Sequence, residues 1–126
     1  MIENTVYQIL NNIDDISDSI AGRIYCEFNA SQTETQYLIY QKINHDRPLD
    51  VDGDGSIEVA SFQIDIYSQQ EDNARNIRDA LVSALHGKSN SQYDENIQQI
   101  FVDSEQSDHS RDPDTFRITL TASFFF

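Results

Sequence analysis

The amino-acid sequence predicts an α+β fold, a two-layer sandwich with two helices packed on one face of a mainly antiparallel five-stranded sheet. Two segments carry apolar residues at helical spacing, five segments alternate apolar and polar residues, and the order along the chain is α-β-β-β-α-β-β. Each helix has one apolar stripe and each strand has one apolar face, so stacking the two layers buries all of them. Because 126 residues is near the commonest domain size, we expect a single domain, 1–126.

The chain opens with a predicted helix. Gly22 is expected to end this helix, because glycine is favoured just after the last helical turn. Alternation over residues 23–28 then predicts the first strand, and a polar loop follows at 29–35. The apolar positions of the helix recur at spacings of three and four and are Ile2, Val6, Ile9, Leu10, Ile13, Ile16 and Ile20.

Two longer strands come next, and we expect them to pair as an antiparallel hairpin. The second strand covers residues 37–43 and the third covers residues 57–67. Between them lies the polar segment 44–56, which is rich in turn-forming residues. The inward face of the third strand is predicted to consist of Ala60, Phe62, Ile64 and Ile66.

The second helix has sequence signals at both of its ends. Ser68 and Glu71 match the S-x-x-E pattern of a capping box, and Gly87 is placed to end the helix. The stripe that faces the sheet is predicted to be Ala74, Ile77, Leu81, Ala84 and Leu85.

Two strands separated by a charged segment complete the chain. We expect a short fourth strand at 97–102, a charged loop at 103–114 and a last strand at 115–126. The loop suits either a contact arm or a flexible hairpin end. One face of the last strand carries Phe116, Ile118, Leu120, Ala122, Phe124 and Phe126.

Charge is the strongest compositional signal. Twenty-two carboxylates and eight bases leave a net charge of -14, which repels nucleic acid and anionic membranes at long range. This argues against duplex DNA as a bound ligand, although an acidic wall past which DNA slides stays compatible, as does a simple role in solubility or in a saline habitat. No apolar run approaches the roughly 18 residues of a membrane helix, and the N-terminus lacks the features of a signal peptide. We therefore expect no membrane association and synthesis in a cytoplasm.

The sequence contains no hydrolase, nucleotide-binding or zinc-protease signature. We therefore expect no enzymatic activity, no catalytic residue and no cofactor. Cys26 is the only cysteine and alternates with apolar neighbours, which predicts a buried small hydrophobe. The three histidines lie in or next to polar segments and are expected at the surface: His45, His86 and His109.

Residues 50–58, with the sequence DVDGDGSIE, resemble part of a calcium-binding loop. The first, third, fifth and ninth loop positions are held by Asp50, Asp52, Asp54 and Glu58, whose oxygens suit a hard dication. Ser61 stands at the twelfth position, where a bidentate glutamate is needed, and the flanks are predicted to be strands. An aspartate- and glycine-rich run between strands also suits a hairpin turn, so a solvated turn is predicted and a weak cation site stays open.

Several short stretches, in this order along the chain, resemble a family of small phage proteins called tail-completion, tail-terminator or tail-to-head joining proteins. The similarity is one of layout and covers nearly the whole chain. The stretches are GRIY at 22–25, YLIYQ at 37–41, FQIDIYS at 62–68, the Ala74–Arg75 pair with its leucine-rich helix end, and DPDT at 112–115.

The resemblance implies a structural virion protein that forms a ring, commonly a hexamer, at the head-proximal end of a long phage tail. Such a ring ends tube polymerisation and contacts the tail-tube protein on one side and the head connector or stopper protein on the other. Genome DNA would pass through its lumen without specific binding, and the protein would be made in the host bacterial cytoplasm. Two other hypotheses stay open, namely another neck or tail-tube structural subunit, and a calcium-modulated binding module that uses loop 44–58.

Overall fold

The computed structural model describes residues 2–13, 24–26, 36–47, 57–93, 95–111 and 114–126. Among these residues the chain forms two helices and five strands, which confirms the predicted α+β class. In chain order the elements are α1 (Ile2–Asn11), β1 (Ile24–Cys26), β2 (Gln36–Asp46), β3 (Val59–Ser68), α2 (Glu71–Leu85), β4 (Gln99–Arg111) and β5 (Asp114–Phe125). Ile16, Ile20, Gly22 and the predicted loop 29–35 lie outside the described residues.

The five strands form one mixed sheet in the spatial order β1-β2-β3-β5-β4. Three pairings are antiparallel, including the predicted hairpin of β2 with β3, whereas β1 runs parallel to β2. The prediction of a mainly antiparallel sheet is therefore only partly confirmed. Because apolar alternation is the same for either strand direction, the sequence could not show that β1 is parallel or that β5 lies between β3 and β4.

Both helices pack on one face of this sheet, as predicted, and share a single hydrophobic core with it. Leu10 of α1 and Leu81 of α2 are both fully buried in that core. The predicted inward face of β3 is confirmed, since its four apolar side chains are fully buried. β5 contributes Ile118, Leu120, Ala122 and Phe124 to the same core.

Helix α2 does not begin with the predicted capping box. Its N-cap residue is Gln70, which makes no side-chain capping bond. β3 continues through Ser68, which pairs with Gln36 of β2, and the Ser68 Oγ accepts a hydrogen bond from the Gln70 N–H at 3.1 Å. The prediction is wrong because the strand ladder holds Ser68 before the helix starts.

The predicted end of α2 is confirmed. The helix stops at Leu85, and Gly87 adopts φ 74°, a left-handed conformation that glycine tolerates best. The Gly87 N–H then donates to the main-chain oxygen of Ile100 at 2.7 Å. This bond attaches the end of α2 to the start of β4.

The prediction that residues 103–114 form a loop is wrong. β4 continues to Arg111 and pairs with β5 throughout, apart from a register shift between Val102 and Ser104. The side chains of residues 103–109 are all exposed, so this half of β4 has no apolar face to reveal a strand. The main-chain bonds to β5 hold it in place instead.

Candidate assembly surface

None of the described elements covers the face of the sheet opposite the helices, which we call the open face. Its side chains come from alternate positions of each strand and are mostly uncharged polar groups. Two neighbouring cross-strand rows show its character, namely Tyr37–Tyr67–Arg117–Asp108 and Tyr25–Ile39–Asp65–Thr119–Gln106.

Three tyrosines form an aromatic cluster at the β1 side of the open face. The Tyr37 and Tyr67 rings are stacked with their centroids 4.8 Å apart, and Tyr25 meets Tyr37 edge to face at 6.3 Å. Tyr37 is 8% exposed although neither of the described helices lies above it. Stacked and edge-to-face aromatic pairs are each worth about 0.5–1.5 kcal/mol beyond the area they bury, so these contacts stabilise this part of the face.

A carboxylate lies buried at the centre of the open face. Asp65 is 6% exposed, and it accepts hydrogen bonds from Thr119 Oγ1 at 2.6 Å and from Gln63 Nε2 at 3.1 Å. Because Ile64 and Ile66 are predicted to face inward, alternation puts Asp65 on the outward side of β3, but it indicates nothing about its burial. These two hydrogen bonds compensate the Asp65 carboxyl group for the water that it loses on burial.

Arg117 is the only basic residue in the two cross-strand rows named above. A hydrogen bond to Tyr67 raises the pKa of Arg117, partial burial opposes this, and the charges of Asp65 and Asp108 add to the rise. Arg117 Nη2 lies 3.2 Å from Asp108 Oδ2. Its positive charge is therefore already paired with a carboxylate of the same face, although the Arg117 side chain is 42% exposed.

The opposite end of the open face is apolar and partly exposed. Phe101 of β4 is 36% exposed and meets Phe125 of β5 edge to face at 5.6 Å. Val59 pairs with Phe125 across the β3–β5 ladder, and Ile57, just before β3, is half exposed. Exposed apolar clusters of this kind are typical of protein contact surfaces.

Of the four residues of the predicted weak cation site, only Glu58 is among the described residues. Asp50, Asp52 and Asp54 lie outside them. Glu58 is described, and its Oε1 lies 2.9 Å from His45 Nε2 and 3.3 Å from Arg47 Nε. Within the described ranges, no three histidine, cysteine or carboxylate side chains cluster as metal ligands would.

The histidines differ from one another in their surroundings. The predicted surface position is wrong for His45, whose side chain is only 11% exposed and packs 5.6 Å from the Phe126 ring. His86 and His109 are exposed, as predicted. The structure places Cys26 in β1, and its predicted burial stays a prediction because its side chain is outside the described part.

Carboxylates neutralise most of the bases that the structure describes. The described ranges contain twelve carboxylates and seven Lys and Arg residues. Five of these bases form ion pairs with carboxylates, namely Lys42, Arg47, Arg75, Arg78 and Arg117. This part of the chain therefore offers little free positive charge to the phosphates of nucleic acid.

Two of these pairs shift the pKa values of their members. Burial alone would raise the pKa of Glu3, but its own main-chain N–H and the Lys42 ammonium at 3.4 Å outweigh this and lower it. Burial alone would lower the pKa of Arg78, but hydrogen bonds to Asp79 and Glu105 raise it. Both pairs connect separate elements, since Lys42 joins β2 to α1 and Glu105 joins β4 to α2.

A groove of about 430 Å³ lies between the ends of the two helices. It is lined by Ile9, Asn12, Ile13, Ala84, Asn90, Gln92 and Tyr93. None of these described lining residues carries a carboxylate, a basic group or a thiol. Within the described residues, no helix has the length and apolar character needed to cross a membrane.

An open polar sheet face with an exposed apolar end, as the described residues form here, is typical of a structural subunit that acts through its contacts. Residues 4–126 match the model of the family described as tail completion protein gp17. The chain therefore belongs to the tail completion protein gp17 family and is a structural protein of the bacteriophage virion tail. No curated protein matches it.

A solved structure shows the same fold. It is a chain described as "Virion of native gene transfer agent (GTA) particle", with a TM-score of 0.69 and 19% sequence identity. The alignment covers 95% of this chain and 90% of that chain. The two chains therefore share a fold over nearly their whole lengths.

Proposed function

We propose that the protein is the subunit of a closed ring at the head-proximal end of a phage tail. The ring ends polymerisation of the tail tube and joins the tail to the head connector or stopper protein. The family match over residues 4–126 supports this proposal, because it covers nearly the whole chain. We propose that a single domain, 1–126, performs the function. The subunit acts without catalytic residues or a cofactor, and it is made in the host bacterial cytoplasm.

The topology of the sheet supports assembly into a ring, for which we propose six copies. A closed ring needs a heterologous contact, in which two different surfaces of the same chain meet around a rotation axis. β1 and β4 are the two edge strands and lie on opposite sides of the subunit. The chain therefore has two different surfaces in suitable places for a head-to-tail contact.

The charge of the subunit supports a lumen that does not hold DNA. The residues outside the described ranges include ten carboxylates and one base, and most of the described bases are already paired. We propose that excess carboxylates line the ring wall, where they repel phosphates and let the genome slide. Raised salt should favour ring formation, because it screens the repulsion between subunits of charge -14.

The test is to measure the mass of the assembly, alone and with tail tubes, and to image the tube ends by electron microscopy. We expect one closed oligomer and a single ring at one end of each tube. Unlimited tubes made of this chain would favour a tail-tube subunit instead. A monomer that never joins a tail would contradict the proposal altogether.

The proposed lumen has a separate test. The charges that face the channel can be counted in a reconstruction of the tail end, and duplex DNA can be titrated into isolated rings at physiological salt. We expect more carboxylates than bases on the wall and no tight binding. A basic wall with tight DNA binding would contradict this part of the proposal.

A further inference from the structure

Only the first part of the β4 edge is covered within the described residues. The main-chain oxygen of Ile100 accepts the Gly87 N–H at 2.7 Å, and the Val102 N–H donates to His86 Nδ1 at 3.0 Å. Beyond Val102, no described strand lies next to the outer side of β4. The end of α2 therefore covers the edge as far as the register shift at residue 103 and leaves the next residues open.

The hydrogen-bond pattern between the strands shows which main-chain N–H and C=O groups of β4 face outward beyond Val102. Glu58 and Phe126 exchange both of their main-chain hydrogen bonds, so every second residue of β5 from Phe126 backwards faces β3. Leu120 and Ile118 belong to this set, and their β4 partners therefore direct their own N–H and C=O groups away from the sheet. Those partners are Glu105 and Ser107.

The same alternation identifies the outward groups of β1. Along β2, residues whose main-chain N–H and C=O groups face β3 alternate with residues whose main-chain groups face β1. Leu38 and Tyr40 are among those that face β1. In a parallel pair, each of these bonds to the residues on either side of its β1 partner. Their partners, Ile24 and Cys26, therefore direct their main-chain groups to the outer side of β1.

The outward main-chain groups of β1 and β4 lie at the same position along the strand direction. Each outward residue of β1 shares a cross-strand row with one outward residue of β4. The two rows are Cys26–Tyr40–Ile64–Leu120–Glu105 and Ile24–Leu38–Ile66–Ile118–Ser107. If the rows of adjacent subunits are in line, the open part of β4 meets β1 of the next copy without a shift along the strands.

We infer that β4 of one subunit pairs with β1 of the next copy of this chain, with Glu105 opposite Cys26 and Ser107 opposite Ile24. The pairing is antiparallel, because β1 runs with β2 and β5, and β4 runs against β5. In this register both residue pairs have facing donors and acceptors and can exchange four main-chain hydrogen bonds. The inference deepens the proposed ring function and rests on it.

The occupant is a second copy because one chain carries both halves of the contact in matching register. The open segment also has exposed polar side chains, so affinity would come from main-chain bonds, as in other strand additions. β1 has only three described residues, which limits the contact to a short, specific register. The right-handed twist and coiling of the sheet would supply the rotation between successive copies.

Disulfide cross-linking tests this register, because Cys26 is the only cysteine of the chain. In Glu105→Cys the Cα atoms of the two cysteines in one subunit lie four strand spacings apart, about 19 Å. This exceeds the roughly 7 Å between Cα atoms that a disulfide can bridge. Any disulfide must therefore join different subunits. We expect mild oxidation of assembled rings to give a reducible ladder of covalent oligomers that ends at the full ring.

Matched variants control for chance collisions. Glu105→Cys combined with Cys26→Ser should lose the ladder, and Ser83→Cys, on the exposed face of α2, should not form one. Ser107→Cys should cross-link much less, since it lies two residues or about 7 Å further along the strand. Equal cross-linking at positions 83, 105 and 107 would overturn the inference.

A second readout does not depend on a thiol. Ser107→Pro removes an outward N–H without removing a bond to β5, so it should fold but abolish ring formation in the mass measurement, whereas Ser107→Ala should assemble normally. Rings that survive Ser107→Pro and carry no Cys26-dependent disulfide overturn the inference and leave the proposed function standing. Failure of the unaltered protein to form any ring contradicts the proposed function instead.

Discussion

Cys26 and Glu105 lie on opposite edges of one five-stranded sheet but in the same cross-strand row, which passes through Tyr40, Ile64 and Leu120. Residues of one cross-strand row lie at the same position along the strand direction. The outer side of β1 therefore lies at the same position along the strands as the part of β4 that the end of α2 leaves open. This relation allows one chain to supply both sides of a repeated contact.

The core should be sensitive to the loss of side-chain volume at the contact between α2 and β5. Leu81 and Leu120 are both fully buried, so Leu81→Ala and Leu120→Ala should each lower the free energy of unfolding by about 2–5 kcal/mol. Urea denaturation measures this change. Ser83→Ala, exposed on the same helix, is the control and should stay within about 0.5 kcal/mol of the unaltered protein.

Gly87 should be the position where a side chain strains the end of α2. An added Cβ would meet no neighbour within 4 Å, so the cost of Gly87→Ala comes from φ 74° alone and should be about 1–2 kcal/mol. Gly87→Asn should cost less, because asparagine tolerates this conformation better. Equal stability of all three proteins in thermal unfolding would contradict this explanation.

The Glu3–Lys42 pair should contribute to stability only above acidic pH. Because the pKa of Glu3 is lower in the folded state, the unfolded chain takes up this proton first as the pH falls. The contribution is therefore present above the ordinary glutamate value of about 4.3 and is lost as the pH falls through the folded-state value.

Glu3→Gln tests this effect against the unaltered protein. The variant should be less stable at neutral pH by about 0–1 kcal/mol, since both partners are partly exposed, and the difference should vanish in acid. Denaturant titrations at a series of pH values measure it. A difference that grows as the pH falls would have the wrong sign for this pair.

Loop 50–58 should not bind calcium more tightly than the millimolar range of weak sites. Glu58 already contacts His45 and Arg47, and the twelfth position is a serine, so the loop lacks the bidentate carboxylate that a tight site needs. Calorimetric titration with calcium measures the affinity. A micromolar affinity that Asp52→Ala abolishes would favour the calcium-modulated binding module.

Much of the core could be predicted from the sequence. Ala60, Phe62 and Ile64 were assigned to the inward face of β3 from alternation alone, and Leu81 and Leu85 to the buried stripe of α2 from helical spacing. These assignments succeed because burial of apolar surface is the main favourable term in folding, and its pattern is written directly in the side chains. The end of α2 at Gly87 was predictable for a similar local reason.

The candidate assembly surface was less predictable. The sequence marked residues 103–114 as a loop, yet most of them form the far half of β4. It also left unmarked the burial of Asp65 and the enclosure of His45 against Phe126. The burial of Asp65 and the enclosure of His45 depend on partners more than fifty residues away in the chain. The far half of β4 is held by main-chain bonds to β5, and neither kind of contact leaves a local pattern in the side chains.

The class of fold, the inward faces of β3 and β5, and the resemblance to the tail completion family could all be predicted from the order of the residues along the chain. The parallel direction of β1, the position of β5 between β3 and β4, and the row shared by Glu105 and Cys26 become visible only in the folded sheet. The physical reason is that apolar side chains record which side of an element is buried. Strand direction, neighbours and register are set by main-chain hydrogen bonds, which every residue except proline can donate alike.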